Sequence, residues 1–202
     1  LDYNARRALP GDLDLWEAMK VFRERVPEDT IVTSGAGNFS AWAGRFYPYR
    51  SLRTQVATSS GAMGYGVPAA VGAQIACPGR TVVSFNGDGD FLMNGQELAT
   101  AAQYGLPILF LVFNNGLYGT IRMHQEREYP GREIGTALRN PDFAALARAY
   151  GLHGETVRRT AEFAPALERA LGAGGPALIE LVYDPEMITP NTTLKDIRAK
   201  AK

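Results

Sequence analysis

Two short apolar runs, each broken off by a turn that carries an acid or an amide, constrain this chain most. Arg80-Thr81-Val82-Val83-Ser84-Phe85 is rich in β-branched residues and ends in Asn86-Gly87-Asp88-Gly89. Pro107-Ile108-Leu109-Phe110-Leu111-Val112-Phe113 ends in Asn114-Asn115-Gly116. Between them Gln96 to Tyr104 reads as a helix stopped by Gly105 and Pro107. Strand, helix and strand in that order predict a β-α-β unit whose strands run parallel, with their carboxyl ends on one edge. Ligands of such sheets sit at that edge. Asp88 and Asn115 are therefore expected to converge, and two hard oxygen donors beside a glycine-rich turn suit Mg²⁺ carrying a phosphate ester. Each turn alone is an ordinary connection between strands; the pair at this spacing favours a site.

The rest of the chain repeats the alternation. Leu15, Met19, Phe22 and Val26 recur at helical spacing, which predicts an amphipathic helix over residues 12–26. Thr30 to Thr33 reads as a strand broken by the loop Ser34 to Ser40. Ser59 to Gly66 leads into the small, apolar run Val67 to Ala76, expected as a buried helix. Asn140 is expected to cap a helix that has Pro141 at its first position and ends at Gly151. A strand near Gly154 to Val157, a helix near Ala161 to Leu171 and a strand from Pro176 to Tyr183 follow. The fold class expected is α/β: a doubly wound, mainly parallel sheet with helices on both faces. Residues 1–11 read as a linker from an upstream domain, 12–184 as the domain, and 185–202 as an irregular C-terminal tail.

Basic and acidic residues balance at 21 each among 202 residues, which leaves no electrostatic case for nucleic acid or an anionic membrane as partner. Arg158-Arg159 and the mixed run Arg122 to Arg132 read as solvated charge. Cys77 is the one cysteine, so no intrachain disulfide forms; with Pro78 after it, it reads as a buried or helix-end thiol. No signal peptide or bilayer-length apolar run is evident, and the cytoplasm is the default expectation.

An acidic Gly87-Asp88-Gly89 followed 27 positions later (115 − 88) by the second Asn of a pair resembles the thiamine diphosphate motif. Nearly the whole chain resembles the C-terminal cofactor-binding domain of acetolactate synthase-like enzymes. The resemblance implies thiamine diphosphate and Mg²⁺ as cofactors. Asp88, Asn115 and the main-chain carbonyl of Leu117 would be the metal ligands, and Gly87 and Gly89 would let the backbone approach the phosphate. Gly37, Asn38 and Phe39 become contacts to the diphosphate, although their loop alone could equally be a plain connector. Its Rossmann reading lacks the third glycine. In Gly61-Ala62-Met63 the Gly61 carbonyl would accept from the cofactor's amino group, and Met63 would wedge between its two rings; a lone Met is otherwise a core filler. Tyr118, Gly119, Thr120 and Ile121 would enter a helix over the site. Asp90 stands where relatives carry a small or hydroxyl residue, and its carboxylate is expected to cap the following helix. Two positions depart from the family: acetolactate synthases carry a Met where Thr120 stands and a Trp near His124. His124 reads either as a contact to a substrate carboxylate or as a surface side chain.

By the same resemblance the parent reaction breaks or makes a bond next to the carbonyl of a 2-oxo acid, with the cofactor storing the electron pair. The catalytic Glu of the family lies in a separate pyrimidine-binding domain; Glu17 and Glu97 fall on predicted helices and do not match it. The chain starts at Leu1 without an initiator Met. It is expected to be a truncated or split form, inactive alone, whose site is completed by the pyrimidine-binding domain of the same or another chain in a homodimer or tetramer. FAD in the parent enzyme would be bound mainly elsewhere. Two other readings stay open. One is a non-catalytic cofactor-binding or assembly module. The other is a phosphatase-like Mg²⁺ enzyme, which would want a lysine at a strand exit, where none of Lys20, Lys195, Lys200 and Lys202 lies.

Overall fold

The structure is a computed structural model and describes residues 5–201. Residues 1–4 of the expected linker and residue 202 of the expected tail lie outside the described residues. The strands are β1 (Ile31–Ser34), β2 (Gln55–Ala57), β3 (Val82–Gly87), β4 (Ile108–Asn114), β5 (His153–Val157) and β6 (Ala177–Val182). They form one sheet in the order β2-β1-β3-β4-β6-β5, with every pairing parallel. The helices are α1 (Leu15–Arg25), α2 (Ser40–Phe46), α3 (Gly66–Ala76), α4 (Asp88–Asn94), α5 (Leu98–Gln103), α6 (Gly119–Glu128), α7 (Phe143–Ala149), α8 (Thr160–Leu171) and α9 (Leu194–Lys200). A hairpin, β7 (Met187–Thr189) and β8 (Thr192–Thr193), precedes α9.

This is the doubly wound α/β fold. The chain steps outward from β1 to β2, and α3 then carries it back past β1 to β3 and on to β4. That reversal opens a crevice at the carboxyl ends of β1 and β3. The central strands are covered on both sides, which is why their sequences are apolar at nearly every position. Val83, Phe85, Leu109, Leu111 and Phe113 pack with Phe22, Trp42 and Leu167 beneath α1, α2 and α8. Val82, Ile108, Phe110 and Val112 pack with Val67, Phe91, Leu98 and Phe143 beneath α3, α4, α5 and α7. Removing one of the fully buried phenylalanines would cost about 3–5 kcal/mol.

Local signals set the helix ends. Asp14 caps α1 by accepting from the amides of Trp16 and Glu17, so the helix starts at Leu15 and turns Leu15, Ala18, Met19 and Phe22 inward. Three expectations are corrected. Asn140 does not cap α7; Asp142 does, accepting from the Ala145 amide at 2.8 Å, and Pro141 stays outside the helix. The segment after residue 184 is not an irregular tail: Met187, Ile188 and Leu194 are buried, and Thr193 and Asp196 form a capping box at the start of α9. The run Arg122 to Arg132 is not wholly solvated, because Arg122 and Glu126 are buried and Glu126 also pairs with Arg198 of α9. No helix among the described residues is long and apolar enough to cross a membrane.

Candidate functional site

A cavity of about 210 Å³ opens at the carboxyl edge of the sheet, over the ends of β1, β3, β4 and β6. The apolar strands form its floor, and the polar residues that end them face the opening. Asp88 follows β3 directly and is only 3% exposed. Its Oδ1 accepts from the Gly89 amide at 2.9 Å, and its Oδ2 accepts from the Gly116 amide and from Asn140 Nδ2, both at 2.8 Å. Burial raises its carboxyl above the ordinary range and these donors oppose the rise. Gly116 reaches Asp88 from a left-handed turn (φ 70°), which glycine adopts without a Cβ penalty. Asn115 lies one residue past the end of β4, and its Oδ1 accepts from the Leu117 amide at 3.3 Å.

Of the residues singled out from the sequence, Gly37, Asn38, Phe39, Gly61, Met63, Gly87, Asp88, Gly89, Asp90, Asn115, Leu117, Tyr118, Gly119, Thr120 and Ile121 line this cavity. Ala62 and His124 do not. Ala62 is exposed, and His124 is an exposed side chain whose Nδ1 lies 2.7 Å from an Arg127 guanidinium nitrogen. Asp90 lines the cavity but does not cap the following helix. Its Oδ1 accepts from the amides of Ala36 at 3.1 Å and Gly64 at 2.8 Å, so it ties the loop after β1 to the loop that carries Met63. Its Oδ2 is buried without a partner, and burial raises its carboxyl to about 6. A Cβ on Gly35 would come within 2.1 Å of that carboxylate, which accounts for glycine there.

Ala36, Phe113, Tyr183 and Ile188 also line the cavity, and sequence reasoning misses them. Phe113 reads as strand interior and Ile188 as tail. Tyr183 follows β6, which lies beside β4 with Asn114 opposite Val182, so Tyr183 flanks Asn115. Only the strand order exposes that relation. Burial, with a smaller contribution from the Asp88 charge, holds the Tyr183 phenol protonated well above its ordinary value.

The lining has no Lys, Arg or His, and its two carboxylates are Asp88 and Asp90. No group of three or more His, Cys, Asp or Glu among the described residues could cage a metal. One carboxylate, one carboxamide and main-chain groups at a sheet edge suit a small hard cation that shares its shell with an anionic ligand. Such a site, at the switch point of a doubly wound sheet, defines a phosphate-cofactor-binding α/β domain. Residues 35–181 match the model of the family described as thiamine pyrophosphate enzyme, C-terminal TPP binding domain, and the chain belongs to that family. It is 38% identical over 168 residues to the acetolactate synthase isozyme 2 large subunit of Escherichia coli (strain K12), covering 82% of this chain and 31% of that protein. It is 36% identical over 196 residues to the probable acetolactate synthase 2, chloroplastic, of Oryza sativa subsp. japonica, covering 89% and 30%. With the probable acetolactate synthase large subunit of Methanocaldococcus jannaschii the identity is 34% over 190 residues, covering 91% and 32%. The chain thus spans about a third of the length of these relatives.

Proposed function

We propose that this chain holds the diphosphate and a Mg²⁺ ion in the site of a thiamine diphosphate-dependent decarboxylase or carboligase acting on 2-oxo acids, a lyase or transferase similar to acetolactate synthases. The observation that carries the reading is the placement of Asp88 and Asn115 at neighbouring strand exits, in a cavity whose lining offers no cationic side chain. A diphosphate cannot be neutralised there by the protein alone, and an incomplete set of oxygen donors cannot satisfy Mg²⁺ alone, so each needs the other. Asp88 would supply a charged oxygen, Asn115 Oδ1 a neutral one, and the Leu117 carbonyl a third. Met63, half-buried in the wall, would hold the cofactor bent, and the Gly61 carbonyl would accept from its amino group.

When bound, thiamine diphosphate supplies an electron sink for the bond beside the 2-oxo acid's carbonyl. This chain's residues bind and orient it and keep part of its surface from water. They do not supply the acid that engages its pyrimidine ring: Asp88 and Asp90 are engaged with backbone amides, and no Glu lines the cavity. We assign that Glu to a pyrimidine-binding domain, of the same or another chain, in a homodimer or tetramer; any FAD would be held mainly outside this domain. This chain alone is then inactive. Thr120, in place of the family's Met, and the surface position of His124 argue for keeping the product class open to acceptors other than those that give acetolactate.

Calorimetric titration of thiamine diphosphate into the folded chain, with Mg²⁺ and with EDTA, tests the reading. Metal-dependent binding that is lost in Asp88→Ala is expected. A folded chain that does not bind, even with the complementary domain added, would leave an assembly module instead.

A further inference from the structure

Behind Asp88 lies a set of polar side chains that does not line the cavity and has no part in the cofactor contacts proposed above. Asn140 Nδ2 donates to Asp88 Oδ2 and to Asn114 Oδ1, each at 2.8 Å. Asn114 Nδ2 in turn donates to Glu180 Oε1 at 2.6 Å, and the Thr156 hydroxyl donates to Glu180 Oε2 at 2.8 Å. Glu180 is 3% exposed, inside β6, and these two neutral groups are its hydrogen-bond donors among the described side chains. A buried carboxylate without a cation is costly unless hydrogen-bonded, so it demands donors.

That demand has a direction. An amide side chain is a donor at one end and an acceptor at the other. Because Asn114 must turn its nitrogen to Glu180, its oxygen must face Asn140 and the Gly116 amide, which also donates to it at 3.1 Å. With that oxygen fixed as an acceptor, Asn140 must present its nitrogen to both Asn114 and Asp88. The Asn140 oxygen is left buried without a partner, as expected of an amide whose orientation is imposed from its other end.

We infer that Asn140 is a positioning residue for Asp88, aligned by the buried Glu180 through Asn114. It holds Oδ2 of Asp88 so that the carboxylate keeps one orientation toward the cavity. The inference rests on the reading of Asp88 as a metal ligand.

Mn²⁺ in place of Mg²⁺, titrated in the presence of thiamine diphosphate, tests it on the wild-type chain, Asn140→Ala and Asn140→Ser, beside the cofactor-free melting midpoint of each. Asn140→Ala is expected to weaken Mn²⁺ binding by about 10–100-fold. Asn140→Ser, which keeps one donor, should fall between it and the wild type; if the Ala variant does not fold, the Ser variant alone carries the prediction. A lower midpoint with Mn²⁺ affinity within about twofold of wild type would make Asn140 merely structural and overturn the inference, with the metal reading intact. A wild-type chain that takes up no Mn²⁺, even with the complementary domain added, would remove the metal reading and this inference together.

Discussion

Asn38 and Thr120 are tied to each other twice: the Asn38 amide donates to Thr120 Oγ1 at 3.0 Å, and that hydroxyl donates to Asn38 Oδ1 at 3.1 Å. The pair joins the loop after β1 to the first turn of α6, and both residues line the cavity. Thr120→Val keeps the side-chain shape and removes both bonds. It is expected to lower stability by about 1–3 kcal/mol, because the Asn38 amide loses its acceptor. Hydrogen exchange at that amide should rise in the variant, and unchanged exchange would refute the latch.

Asp90 imposes a pH dependence of the less common sign. Its folded pKa of about 6 lies above the ordinary 3.8, so the ionised group opposes folding at neutral pH. That penalty, on the order of 2–3 kcal/mol, fades as the pH falls from about 6 toward 4. Asn in its place can keep Oδ1 as acceptor for both amides while removing the charge. Asp90→Asn is therefore expected to stabilise the cofactor-free chain at pH 7.5 by about 1–2 kcal/mol, the new buried N–H₂ offsetting part of the gain. At pH 4 the gain should vanish. Urea denaturation at the two pH values decides, and an equal effect at both would contradict the assignment.

Glu126 acts in the opposite sense. It is 1% exposed and accepts from Arg122 and from Arg198, each at 2.7 Å through Oε1, while Glu133 also pairs with Arg122. The Arg198 hydrogen bonds chiefly hold its carboxyl down to about 2. A depressed folded pKa gives stability that is complete above the ordinary value of 4.5 and is lost as the pH falls toward 2. Glu126→Gln takes the counter-charge from Arg198, whose side chain is half-exposed, and leaves Arg122 with Glu133 as its remaining carboxylate, with an expected cost of about 1–3 kcal/mol at pH 7. It should also loosen α9, which limited proteolysis of the C-terminal segment would report. Acid unfolding of the variant should lack the contribution between pH 4.5 and 2.

Gly89 sits against the ring of Tyr118. A Cβ there would lie 2.4 Å from Tyr118 Cε1 and 3.1 Å from Leu138 Cδ1. Gly89→Ala must displace the ring from the cavity wall, at about 1–3 kcal/mol. Weaker thiamine diphosphate binding together with a changed tyrosine fluorescence is the expected readout.

The Asp88–Asn115 pair is legible in the amino-acid sequence because it depends on two strands that are neighbours both along the chain and in the sheet. Asn140 is different. An Asn before a Pro and an apolar run has the pattern of a cap, and so does Asp142; the difference lies in Asp88, which draws Asn140 away from the helix. Asp90 likewise has the position of a capping residue, yet two amides from distant loops reach it first.

Periodicity and turn residues act within a dozen positions, and so the sequence by itself determined five of the six strands of the main sheet, all but β2, most helices, the α/β class and the residues at the exits of β3 and β4. Strand order and side-chain partners belong to the tertiary structure. It seats β6 beside β4, which brings Tyr183 to Asn115 and Glu180 to Asn114, and it folds residues after 184 back so that Ile188 closes the cavity wall. The physical reason is that a buried polar group pairs with whatever donor or acceptor packing brings within reach, and packing joins residues that no local pattern connects.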